Sequence, residues 1–194
     1  MNHNPLKTLA PLLSFVLIVG AWELAVRFGG WSREVLPGPA RVAAGMWELA
    51  VSGTLLQHTV ASLFRVTVGF YLAMLLGIPL GVLIGRVDTA RALLNPLIQF
   101  LRPISPLAWI PLSMLWFGIG DPPAIFLIFL SSFFPLAVST AVAVGAINPV
   151  YFQVAANFNF SGREVLTKVV LPAIIPSIVT ALRITVMIAW VVVV

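Results

Sequence analysis

The sequence has no cysteine, which excludes disulfides, thiolate metal centres and cysteine nucleophiles and leaves the redox compartment open. Histidine is almost as scarce: His3 and His58 are isolated, without the neighbouring ligands a metal site requires. Charge is thin too. Lys, Arg, Asp and Glu make up 9% of the 194 residues, where a soluble domain carries about a quarter. Such a chain cannot cover a globular surface with polar groups. No G-x-x-x-x-G-K-[ST] segment occurs, so nothing here cradles nucleotide phosphates. Ser113, Ser131, Ser132 and Ser139 lie in apolar stretches that hold no histidine, which leaves a serine nucleophile without its base. The net charge of +5 comes from Lys and Arg scattered singly, with no patch that would bind nucleic acid.

What is present is apolar: 60% of residues are hydrophobic. The runs are solid rather than alternating, which argues against a β-barrel. The fold class is all-α, a polytopic helical membrane bundle. About 20 apolar residues cross the hydrocarbon core, and five spans are expected: Leu9 to Val26, His58 to Ile84, Ala92 to Trp116, Pro123 to Val144 and Ala173 to Val194. Pro96, Pro103, Pro106 and Pro111 should bend the third span or divide it in two. The first run lacks a small-x-small cleavage site and reads as a retained span. The Lys and Arg bias puts the N-terminus, Lys7, Arg86, Arg91, Arg163 and Lys168 in the cytoplasm, and Arg27, Arg33 and Arg41 outside. Nothing anchors the final "AWVVVV", so the natural chain is expected to continue past Val194.

Two local patterns stand out. Gly69, Ala73, Gly77, Gly81 and Gly85 recur every four residues, a row that lets another helix approach closely, within the bundle or from a second subunit. Pro79 should kink that helix. In "LPGPARVAAGMWELAVSG", Pro39 suits a first helical turn and Arg41, Gly45, Glu48 and Ser52 share one face. This reads either as an amphipathic helix on the outer surface or as a packed connector. Gly118 and Gly120 suit a tight outer turn, and Glu23 and Asp121, near span ends, should be solvated.

The polar stretch between the fourth and fifth spans carries the most information. Asn148 is an N-cap and Pro149 a first helical residue. "VYFQVAANF" continues as a helix until Asn159, a residue that tolerates the left-handed conformation of a helix end. Ser161 and Glu164 form a capping box for a second helix, supported by Glu164 and Lys168 four residues apart. Leu171-Pro172 closes the unit and starts the next span. The first helix exposes Val150, Tyr151, Phe152, Val154 and Phe158, which either fold back on the bundle or meet a partner.

This pattern resembles the "EAA" loop of binding-protein-dependent ABC importer permeases. Gln153-Val154-Ala155 stands at the family's Glu-Ala-Ala, Asn159 at its Gly and Leu171-Pro172 at its closing pair. Gln153 lacks the family's charge, Val154 is bulkier, and Asn159 replaces Gly. "LPGPARV", "SLFRVTVGFYLAMLLGIPLGVLIGR", "LNPLIQFLRPISPLAWIPLSMLWFGIGDPPAIFLIFLSSFFP" and "VVLPAIIPSIVTALRITVMIAW" are similar to the nitrate, sulfonate, taurine and bicarbonate branch, over residues 36 to 194. The resemblance implies an N-terminal span and outer flank at 1–35 and a permease domain at 36–194. That domain lacks the usual sixth span and contains a coupling loop at 148–171. It also implies a bacterial inner-membrane location, a second permease copy in a homodimer, separate ABC ATPase subunits and a periplasmic binding protein, with no cofactor and no catalytic site in this chain. Coupling then falls to Val150, Tyr151, Gln153, Val154, Ala155, Phe158, Asn159, Ser161, Arg163, Glu164 and Lys168, with Arg163 and Lys168 at the rim. Gly118 and Gly120 would meet the binding protein.

Arg65, Arg102 and Arg183 fall within expected spans, where an ionisable group is a functional candidate. Arg102 or Arg183 could attract a small anion along the solute path. Alternatively, each snorkels to an interface or pairs with backbone carbonyls. An importer of an uncharged or heterocyclic nutrient is the alternative within the class. An ATPase-independent channel or a membrane anchor is the alternative outside it, and neither of these accounts for a capped double-helix loop.

Overall fold

The computed structural model describes residues 5–30 and 34–193, with side chains from residue 10 onward. His3, Arg33, Val194 and the side chain of Lys7 lie outside the described residues. The chain falls into two compact units, residues 1–60 and 61–194. All regular elements in the described residues are helical.

The first unit holds α1 (Pro5–Phe28) and α2 (Pro39–Val51). Pro39 starts α2, where a missing N–H is no loss. Glu23 is not simply solvated: it accepts from Arg27 at 2.7 Å, one turn along α1.

The second unit takes in most of α3 (Thr54–Arg86), then α4 (Asp88–Leu101), a 3₁₀ turn (Pro106–Trp109), α5 (Ile110–Phe117) and α6 (Asp121–Gly145). After these come α7 (Pro149–Asn157), α8 (Gly162–Glu164), a π turn (Val165–Val170) and α9 (Leu171–Val192). By length and composition four helices among the described residues could cross a membrane: Ala10–Phe28, Thr54–Arg86, Asp121–Gly145 and the continuous Gly162–Val192. The expected third span is in three pieces. Pro106 and Pro111 each sit where a helix starts, so the backbone restarts twice rather than bending once. Gly118 (φ 77°) and Gly120 (φ 141°) then turn the chain into α6.

The packing fixes directions. A Cβ built on Gly69, Gly77, Gly81 or Gly85 would meet the carbonyl oxygens of Ile125, Phe133, Ala137 and Ala141 in turn, at 2.5 to 3.1 Å. Both series climb together, so α3 and α6 run parallel with their backbones nearly touching. Arg65 and Asp121, 2.6 Å apart, join the helices at one end. Two parallel neighbours require the chain between them to travel back. Residues 88–117 therefore return along α3 from Arg86 to the level of Arg65, about 32 Å at 1.5 Å per residue.

The core against α9 has three layers. Val144, Val170 and Ile174 pack with Val82; Ala73, Leu136 and Ala181 form the middle; Val66, Ile128 and Ala189 lie toward the Arg65 end. Thus α9 runs antiparallel to both α3 and α6. Leu171-Pro172 starts the last long helix, as expected, but the short helix before it does not end there. The Leu171 N–H reaches back five residues to Leu166 O, and this π turn carries the helix past Pro172, which lies in the first turn of α9 and has no N–H to place.

Candidate functional site

The C-terminal ends of α3 and α6 lie at the same end of the unit, and α7 sits there. Asn148 caps α7 by accepting from the Val150 N–H at 3.0 Å. The helix ends in two further hydrogen bonds. Asn159 N–H donates to Ala156 O and Phe160 N–H to Ala155 O, both at 2.9 Å. With Asn159 at φ 53° this is a Schellman motif. Asn fits because its short polar side chain tolerates the left-handed region at small cost.

The next helix starts two residues later. Ser161 N–H donates to Glu164 Oε2 at 2.9 Å and Glu164 N–H to Ser161 Oγ at 3.4 Å, a complete capping box. Lys168 Nζ donates to Glu164 Oε1 at 2.8 Å and lies 4.8 Å over the Phe160 ring. Ser161 and Lys168 thus hold the Glu164 carboxylate from two sides and keep the turn clamped.

Two faces of α7 have separate tasks. Phe152 points inward, into the layer of Val82, Val144, Val170 and Ile174, and Arg86 from the end of α3 lies 5.0 Å over its ring. Val150, Tyr151, Val154 and Phe158 form an exposed apolar face, Phe158 being 71% exposed. Gln153, Asn159, Ser161, Arg163 and Lys168 are also at the surface, and Glu164 is half-buried. Ala155 corrects the sequence reading. It is 2% exposed, so its side chain packs inward and supports the turn instead of meeting a partner.

Gly69, Ala73, Gly77 and Gly81 are buried, with Gly85 half-buried, and the four glycines of this row face α6. Arg102 and Arg183 are both exposed and are not brought together: Arg102 caps the C-terminus of α4, whereas Arg183 lies within α9. Three arginine roles were not legible beforehand. Arg65 pairs with Asp121, which corrects the reading of Asp121 as merely solvated. Arg86 stacks on Phe152. Arg91 donates through Nε to Ile84 O at 3.3 Å and through Nη2 to Gly85 O at 2.8 Å, satisfying carbonyls that the end of α3 leaves open. The small-residue row gave the only advance hint of the α3–α6 contact.

Comparison with known proteins adds the family. Residues 77–194 match the family model of the binding-protein-dependent transport system inner membrane component. A putative ABC transporter permease protein of Methanocaldococcus jannaschii is 45% identical over 139 residues, 72% of this chain and 52% of that protein. The taurine transport system permease protein of Escherichia coli K12 is 37% identical over 94% of this chain and 66% of its own length. The bicarbonate transport system permease protein of Synechococcus elongatus is 42% identical over 95% and 68%. The chain thus spans about half to two thirds of the length of these relatives. With several apolar helices, a capped loop at one end and these matches over most of its length, the chain is a multi-pass membrane protein that belongs to the permease family of binding-protein-dependent ABC transport systems, in the branch that holds the taurine, sulfonate and bicarbonate permeases.

Proposed function

We propose that the chain is the permease subunit of an ATP-driven importer, working with a second copy of itself, ABC ATPase subunits and a periplasmic binding protein. It sits in a bacterial inner membrane with its N-terminus in the cytoplasm. Five crossings follow if residues 88–117, which retrace the length of α3, count as the broken third one. The solute is a small anion, a reading supported by the relatives named for taurine, aliphatic sulfonates and bicarbonate.

The observation that carries this reading is the exposed apolar face of α7 on a turn locked at both ends. An apolar surface of this kind on a loop fits a partner's groove. The turn's Schellman motif and capping box keep it from yielding, so a pull on Tyr151 or Phe158 passes to the bundle instead of unwinding the loop. Phe152, held between Arg86 and the core layer, delivers that motion to α3, α6 and α9 together. ATP-driven closure of the ATPase pair would then rock these helices and open the path to the other side.

The test is reconstitution with the ATPase subunits. Phe158→Ala and Tyr151→Ala should each weaken ATPase binding by about 30-fold, the effect of losing an aromatic anchor, while leaving the permease folded. Unchanged binding, or a single cysteine at Phe158 that membrane-impermeant reagents label from outside intact cells, refutes the assignment.

A further inference from the structure

We infer that Arg183 is the anion-selecting charge of the solute path, and that Pro176, Thr180, Arg183 and Met187 form the face of α9 along which a small oxyanion passes. The inference rests on the importer reading and names the group that would favour its solute.

The packed face of α9 is Ile174, Ala181, Thr185 and Ala189. At 100° per residue, Pro176, Thr180, Arg183 and Met187 fall on the opposite side, and all four are exposed. Among the described residues nothing pairs with the Arg183 guanidinium: no carboxylate, carbonyl or ring is in contact.

Its depth follows from the core layers. Ala181 packs level with Ala73, and Ala189 level with Val66. Arg183 therefore lies about 9 Å inward of the Arg65–Asp121 pair and about 22 Å from the level of Arg86. Helical side chains lean toward their own N-terminus. For α9 that is the Arg86 end, so Arg183 leans away from the nearer edge, against snorkelling. Arg102 is different: it caps the C-terminus of α4, where the helix dipole and open carbonyls favour a cation.

A charge at this depth needs a counter-charge or water. The sequence has six acidic residues. Glu23, Asp88, Asp121 and Glu164 are paired with Arg27, Arg91, Arg65 and Lys168. Glu34 and Glu48 lie beside and within α2, outside the long apolar helices. Among the described residues of its own unit, Asp88, Asp121 and Glu164 are all paired, and no carboxylate is left for Arg183. A mobile anion in a hydrated passage would supply the counter-charge. A guanidinium presents paired donors to two oxygens of one anion, which suits carboxylate, sulfonate, nitrate or bicarbonate.

The absence of cysteine makes the test direct. Thr180→Cys, one turn from Arg183, gives a single thiol in this chain of the assembled transporter in vesicles. Its modification by 2-sulfonatoethyl methanethiosulfonate, an anion, and by the trimethylammonium analogue, a cation, is followed by the mass of the chain. Each rate is divided by that of the reagent with a free thiol in water. The anion should be favoured about tenfold, the lower end of what a charged cleft does to local ion concentration. The ratio should fall to near one with Arg183→Gln and persist with Arg183→Lys. A thiol that reacts with neither reagent faces lipid and overturns the inference, as does a ratio indifferent to Arg183→Gln. A ratio that follows the content of anionic lipid assigns the arginine to headgroup phosphates and also overturns it. None of these readouts needs ATP, so a preserved ratio alongside ATPase binding that Phe158→Ala and Tyr151→Ala leave unchanged would sink the coupling assignment and leave the anion site standing.

Discussion

Replacing Gly81 by alanine puts a methyl group 2.5 Å from the Ala137 carbonyl oxygen and 2.5 Å from Thr140 Cβ. Carbon and oxygen normally approach to about 3.3–3.6 Å, so the overlap is roughly 1 Å. Neither neighbour can yield cheaply, since one is backbone and the other is a buried β-branched side chain. Helices α3 and α6 must part. Gly77 in the same helix is the internal comparison, because its Cβ would meet Phe133 O at 3.1 Å, which a small adjustment relieves. Both substitutions gain the same helix propensity, about 1 kcal/mol. That gain cancels in the comparison and leaves the steric difference, about 1–3 kcal/mol for an overpacked contact. Gly81→Ala should therefore shift the unfolding equilibrium about 5- to 150-fold further than Gly77→Ala. Unfolding in mixed detergent micelles, followed by tryptophan fluorescence or circular dichroism, measures both. Equal stabilities, or a less stable Gly77→Ala, would refute the close parallel contact.

Two further outcomes are expected. The Arg65–Asp121 pair is partly exposed, at 30% and 47% for the two side chains, so it should contribute less than about 1 kcal/mol. The double reversal Arg65→Asp with Asp121→Arg should recover most of what either single reversal loses, and a thermodynamic cycle with no coupling would remove the pair from the fold. At the turn, Asn159→Gly should leave ATPase binding and stability unchanged because φ is 53°, whereas Asn159→Val should cost about 1–2 kcal/mol and loosen coupling. Equal behaviour of the two variants would contradict the left-handed turn.

The loop was legible because its signals are local. Asn148, Asn159, Ser161 and Glu164 act on backbone groups within about four residues, and such bonds form wherever the surroundings permit. The Gly and Ala row was legible for the same reason, as a period along one helix. Ala155 was misjudged because a short helix with apolar residues all round gives no hint of which side turns inward; only Val144, Val170 and their neighbours decide that. The partner of Arg65 lies 56 residues away, beyond any sequence period. Prolines marked the breaks between residues 92 and 116, but their number did not say how many pieces would result. The π turn escaped notice because Pro172 reads equally as a stop and as a first-turn residue, and the difference lies in whether the preceding N–H reaches back four residues or five.

In the proposed importer, the parallel run of α3 and α6 would let a handle at α7 act on the whole bundle. Parallel neighbours bring two C-termini to one end, each with open carbonyls and a negative dipole. Arg91 and Arg86 are at that end, the first bonded to carbonyls of α3 and the second stacked on Phe152 of α7. Through Val82, Val144, Val170 and Ile174 the same layer also grips the start of α9. A force applied to α7 in that importer would therefore enter three helices at one level. Since α3 and α6 touch backbone to backbone along the glycine row, they resist sliding past each other and move as one body. Helix α9 packs along both through the three core layers, and its exposed face carries Arg183. In the proposed importer, the helix that the handle continues into is therefore the one that holds the charge meeting the solute.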